Sequence, residues 1–180
     1  MRRRLIGLAV IVVVLAACGG GSSKPYNSAD VAFAQGMIPH HQQVIEMAAM
    51  AGAHADSPAV KQLAARIQSA QAPEIQLMSG WLQSWQQPPT TADAHGDMDH
   101  GSGATGTGMM DAAAMDELTN AHGGDFDRMF LAMMIEHHQG AVAMSQTEQA
   151  KGKFADAKQL AATIISAQQA EITEMQQLLG

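Results

Sequence analysis

The sequence predicts an all-α protein, a four-helix bundle built from two duplicated helical hairpins, and three observations carry that prediction. Apolar residues recur at helical spacing, the chain repeats itself at an offset of 97 residues, and capping and breaking residues stand where such helices need ends. Slid by 97 positions, residues 30–82 align with 127–179 without a gap, and 22 of the 53 positions are identical. Phe33/Phe130, Met37/Met134, His40/His137, His41/His138, Met47/Met144, Gln71/Gln168, Glu74/Glu171 and Met78/Met175 are among them, as is the run Lys61 to Ala65 against Lys158 to Ala162. Two copies are too few for a solenoid. Two hairpins closing on each other make a four-helix bundle.

Taken in order, residues 1–17 read as an export signal, with a basic start at Arg2, Arg3 and Arg4 and an apolar run from Leu5 to Leu15. That run is about half of the roughly 20 residues a spanning helix needs. The ending Leu15-Ala16-Ala17-Cys18 resembles the bacterial lipobox, which implies cleavage before Cys18 and its lipidation, with residues 18–27 as a tether from the membrane. Cys18 is the single cysteine. Used as an anchor, it leaves no thiol for a disulfide, for thiolate catalysis or for a Cys-zinc site. Loss of the signal leaves seven basic against 17 acidic residues, a net charge near −10. Nucleic acid is thereby disfavoured as a partner.

Residues 28–180 suit one domain. Hairpin one spans 28–86. In its first helix Phe33, Met37, His40, Val44, Met47 and Ala51 are spaced 4, 3, 4, 3, 4, with Ile38, His41, Ile45 and Ala48 beside them. In its second, Ala64, Ile67, Gln71, Glu74, Met78 and Leu82 share one face. Asn27 or Ser28 caps the first helix, Asp56-Ser57-Pro58 makes the turn, and Pro88-Pro89 stops the second helix. Pro39 and Pro73 each remove a helical hydrogen bond and are expected to bend their helices. Residues 87–108 form a polar, Gly-rich linker, 109–121 a short helix with Met110, Ala114, Met115 and Leu118 inward, and 125–180 hairpin two, opened by Gly123-Gly124-Asp125 and broken near Gly152.

The stripes carry polar residues into the core. His40, His41, Gln71 and Glu74 all fall on apolar faces, where an unpaired polar group costs about 2–7 kcal/mol. His40 stands about 21 Å before the turn and Glu74 about 25 Å after it, so the two share a level. Met37 and Met78 lie close to that level. Each hairpin therefore assembles a layer, Met37, His40, His41, Glu74 and Met78 in one and Met134, His137, His138, Glu171 and Met175 in the other. Met47 and Met144, about 10 Å further along, read as ordinary core.

A purely structural His-Glu network explains one such pair. Four histidines in two symmetric pairs, thioethers one turn away, and His95, Met98 and His100 in the linker together point to a metal, and imidazole with thioether suits copper. His54 and His122 read as exposed or capping, and Trp81 and Trp85 as packing at the bundle end.

The doubled Met-Ile-x-His-His pattern, followed by Gln-x-x-Glu-Ile-x-x-Met at Gln71 to Met78 and Gln168 to Met175, resembles the bacterial domain of unknown function 305 family, over residues 28–179. That resemblance implies an exported or lipid-anchored, ferritin-like four-helix bundle, in a family that includes a periplasmic copper-binding protein. A ferritin-like di-iron oxidase needs a Glu-x-x-His pair on each of two helices, and no Glu-x-x-His occurs in the chain. Nor does a Ser or Asp pair with the histidines in a hydrolase motif. The expectation is a non-enzymatic, membrane-anchored extracytoplasmic lipoprotein that buffers or sequesters copper, in either oxidation state. His40, His41, His137 and His138 would be its core ligands, Met37 and Met134 its thioethers, and Glu74 and Glu171 would orient the imidazoles or complete the site. The alternative is a metal-free partner-binding or envelope-stress module with a structural His-Glu core. A homodimer is compatible with either.

Overall fold

Helix-forming stripes bounded by caps produce α1 (Ser28–His54), α2 (Pro58–Ser84), α3 (Ala112–Asn120), α4 (Gly123–Lys151) and α5 (Ala155–Leu179) in the computed structural model, which describes residues 24–89 and 107–180. No strand occurs among the described residues. The signal segment, Cys18, His95, Met98 and His100 lie outside them. No helix among the described residues is long and apolar enough to cross a membrane.

The ends follow their chemistry. Asn27 Oδ1 accepts from Ala29 N and Asp30 N at 2.8 and 3.2 Å while Asp30 Oδ2 accepts from Asn27 N at 2.5 Å, a reciprocal box at the start of α1. Ser57 caps α2 with Pro58 in its first turn. Asp111 caps α3 through Ala114 N at 2.8 Å, so the short helix starts at Ala112, and Met110 is buried ahead of it rather than within it. Both Pro39 and Pro73 lie inside continuous helices. Each proline deprives its turn of one backbone hydrogen bond, Pro39 at a buried position and Pro73 at an exposed one.

Each hairpin is a tight helix pair, α1 on α2 and α4 on α5, and the two pairs meet through α1 and α4. The core has two apolar halves. One joins Val44 to Ala51 of α1, Val60 to Ile67 of α2, Phe126 to Met134 of α4 and Met175 of α5. The other joins Phe33 to Ile38, Met78 to Trp85, Ala141, and Ala157 to Ile164. The start of α1 thus packs with the later part of α4, and the reverse holds at the other end, so α1 and α4 run antiparallel.

The duplication thereby becomes an approximate twofold. Asp30 Oδ1 accepts from Phe154 N at 2.8 Å and Lys153 N at 2.9 Å, and Asp127 Oδ2 accepts from Ser57 N at 2.9 Å. Asp30 and Asp127 are equivalent positions, as are Ser57 and Phe154. Each hairpin's turn is therefore held by the first helix of the other. One end of the bundle is closed by aromatic rings, with Tyr26 stacked on Trp85 at 4.4 Å and Phe154 edge-on to Trp81 and Trp85.

Candidate metal centre

Between the two apolar halves lies a polar layer. His40, His41, His137 and His138 project from the middle of α1 and α4, each at most 1% exposed. Adjacent positions on a helix stand about 100° apart, so one histidine of each pair points across the α1/α4 interface and the other toward its own hairpin. His40 and His137 meet across the approximate twofold, ring centroids 3.6 Å apart. His41 turns to α2, where its Nε2–H donates to Glu74 Oε2 at 2.7 Å, and His138 turns to α5, donating to Glu171 Oε2 at 2.8 Å. The spacing that puts His and Glu at one level therefore yields a hydrogen bond in both copies.

One expectation changes. Glu74 and Glu171 are not buried, since their side chains are 19% and 21% exposed. They sit on the outer helices, which scarcely touch each other, and reach the layer from its rim. The layers of the two hairpins, whose merging the spacing leaves open, meet as one through His40 and His137. The hairpins are antiparallel about His40 and His137, so Met37 and Met78 pack in one apolar half and Met134 and Met175 in the other, all four with no exposed surface. Met47 is core, as expected, and Met144 packs at the margin.

The layer is short of hydrogen bonds. Nδ1 of His40, His41 and His138, both ring nitrogens of His137, and Oε1 of Gln71 and Gln168 are buried without a partner. His40 Nε2–H donates to the carbonyl of Thr107 at 3.0 Å, which leaves Nδ1 as the lone-pair nitrogen. Burial, the neighbouring His41 and, more weakly, His138 depress His40 to about 3, against a small upward pull from Thr107. Burial and the neighbouring imidazoles drive His137 well below its ordinary value. Both rings are neutral at physiological pH, with lone pairs available for an electrophile. An unpaired buried group costs about 1–3 kcal/mol, and native proteins tolerate few of them.

Among the described residues no group of three or more His, Cys, Asp and Glu is gathered as a metal cage. The donors present are imidazole nitrogens without partners and thioethers buried on both sides of the layer, a soft set that fits copper or silver better than a hard cation. Glu74, Glu171 and the Thr107 carbonyl take the second ring nitrogen of three of the four histidines, the usual way in which a ligating imidazole is oriented.

Elsewhere, His54 and His122 stack at 4.4 Å, and His54 Nδ1–H donates to Ala121 O at 3.0 Å. His54 is half-buried rather than free, and His122 stays exposed at the start of α4. The spacing did not reveal Gln43, Thr107 or Gly140 around the layer, nor Glu148, which is 1% exposed beside Asp30. The identity of Asp30 and Asp127 in the repeat was the visible signal for the bracing pair.

The family described as Domain of unknown function (DUF305) matches residues 30–179. A DUF305 protein from Streptomyces coelicolor, described as secreted, is 33% identical with a TM-score of 0.74, covering 84% of this chain and 92% of that one. A DUF305 fragment from Deinococcus radiodurans is 32% identical, also at 0.74, covering 87% and 98%. CopM in its Cu(II)-bound form is 37% identical with a TM-score of 0.71, covering 83% and 95%, and CopM has also been solved with Cu(I) and with silver. Comparison with curated proteins yields no match.

Proposed function

The chain belongs to the DUF305 family, and from that premise we propose that it is an extracytoplasmic copper-binding protein, without catalytic activity, that buffers or sequesters the metal while anchored to the membrane by a lipid on Cys18. The carrying observation is the set of buried ring nitrogens on His40, His41, His137 and His138 that have no hydrogen-bond partner. Met37, Met134, Met78 and Met175 supply neighbouring thioethers. Glu74 keeps a proton on Nε2 of His41, and Glu171 does the same for His138. These contacts direct the unpartnered Nδ1 atoms inward as ligands. The copper- and silver-bound forms of CopM support the choice of metal, and the description of the S. coelicolor relative as a secreted protein supports export. Lipid attachment rests on the Leu-Ala-Ala-Cys sequence alone.

The test is copper stoichiometry of the purified mature chain under reducing and oxidising conditions. Joint replacement of His40, His41, His137 and His138 is expected to remove tight binding. Unchanged stoichiometry would move the metal away from the layer.

The same two His-Glu hydrogen bonds favour a second reading, a metal-free bundle whose polar layer is structural and whose surface serves a partner. Thermal unfolding separates them. A site formed only in the folded chain adds about 2.7 kcal/mol at a ligand concentration 100 times Kd, so an unmoved midpoint in both oxidation states supports the structural reading.

A further inference from the structure

We propose that residues Thr107–Met110 are a latch over the His40–His137 pair, clasped by Gln43 and seated on Gly140, which must swing away for metal to enter or leave the layer. The inference rests on the metal reading above and adds to it a route and its fastener.

The segment that enters α3 crosses the α1/α4 groove at the level of the histidines. On the α1 side, Gln43 holds it with both ends of its amide, Nε2 donating to Met110 O and Oε1 accepting from Met110 N, each at 2.8 Å. One turn earlier on the same face, His40 Nε2–H donates to Thr107 O at 3.0 Å. On the α4 side the backbone of the segment touches the helix backbone. A Cβ on Gly108 would fall 2.5 Å from Glu136 O, and one on Gly140 would fall 1.7 Å from Thr107 O. Gly108 also has φ +79, a conformation costly for any residue with a side chain. Glu136 and Gly140 flank His137 by one residue before and three after. The latch therefore lies directly on the turn that carries His137, and both histidines are covered.

Gln43 and Gly140 are equivalent positions of the duplicated hairpins. A single segment crossing an approximate twofold meets the same position twice, once as a clasp and once as a seat, and the two copies differ there accordingly. Ordinary connection of linker to α3 requires neither the bidentate amide nor the glycine notch.

The latch also fixes which nitrogen of His40 faces the layer. With Nε2–H engaged by Thr107, Nδ1 is the free atom, so a closed latch presents His40 as a ligand while blocking the way in. Release uncovers the ring and frees its tautomer. Among the described contacts the latch is held by these three hydrogen bonds, each worth roughly 1 kcal/mol net, and by the buried Met110 side chain, worth about 1.5–3 kcal/mol, so opening is a local event that costs a few kcal/mol and leaves the four long helices packed.

Two single variants of the full mature chain test this, Gln43→Ala, which removes the clasp, and Gly140→Ala, whose Cβ displaces the Thr107 carbonyl while favouring the helix itself. In metal-free protein, modification by diethylpyrocarbonate is mapped at His40 and His137 against exposed His122 as internal standard. Withdrawal of Cu(I) by an external chelator is then timed in the loaded protein. The latch predicts that both His modification and copper withdrawal quicken about tenfold, the effect of losing one or two such bonds, with copper stoichiometry and helix content unchanged. Unchanged His40 and His137 reactivity in both variants overturns the proposal, and so does faster modification with an unchanged withdrawal rate, because metal then takes another route. A parent chain that takes up no copper overturns the metal reading and the latch's role together, whereas copper uptake with latch-independent rates overturns the latch alone.

Discussion

Glu148 shows what a single buried side chain can impose on the whole fold. Burial, and after it the Asp30 carboxylate alongside, push its pKa up to about 8, with Lys158 pulling weakly the other way. The folded-state value lies above that of the unfolded chain, so the contribution to stability is full below about pH 4.5 and is lost as pH rises through about 8. Glu148→Gln keeps the shape and removes the titration. It is expected to flatten stability across pH 5–8 and to raise it near pH 8 by about 1–3 kcal/mol, read from denaturant midpoints at several pH values. Asp30 behaves oppositely. Burial raises its pKa, but backbone N–H groups of Asn27, Phe154 and Lys153, with the Glu148 carboxyl beside them, more than offset this and hold it below the ordinary carboxylate value. Asp30→Ala strips the acceptor from three backbone donors and should cost roughly 3 kcal/mol, while Asp127→Ala strips it from one and should cost about 1–2 kcal/mol. Equal costs in urea titration would contradict the bracing account. At this scale the four histidines were legible because they break an apolar stripe. Glu148 was not, because it replaces Ala51 of the other copy, and nothing in its own helix shows that Asp30 comes to face it.

Among the helices, periodicity and caps located the segments well, since α1, α2, α4 and α5 are each set by residues of their own neighbourhood. Asn27, Ser57 and Gly152 act locally. The strap from Thr107 to Met110 was hidden for the opposite reason. Its contacts are backbone carbonyls and a helix notch, which no hydropathy pattern records, and its anchor residue Gln43 looks like any polar position on a helix. Relative placement of the methionines was likewise obscured. Helical rise gave Met37 and His40 the right level, yet whether Met134 lies beside Met37 or across the layer from it depends on α1 and α4 running antiparallel, a tertiary fact. The rim position of Glu74 and Glu171 has the same origin, because α2 and α5 flank the pair without closing on each other.

At the level of the molecule, the repeat was legible as a duplication and its twofold was not, although the paired contacts Asp30 with Phe154 and Asp127 with Ser57 express it directly. The interface between hairpins is built from equivalent surfaces, so nothing in it distinguishes a second hairpin on the same chain from one on another molecule. Closure within one chain depends on the connection between Gln87 and Thr107 being long enough. Cutting that stretch to a few residues should yield a domain-exchanged dimer in which each half-bundle finds its mate in a neighbour. The expected result is a doubled mass in light scattering, with helix content retained and the His40–His137 contact re-formed between molecules. A shortened chain that stays monomeric and folded would show that the connection does not set the pairing. The approximate symmetry thus makes the fold modular: a protein fused from two like halves retains the capacity to assemble from separate ones.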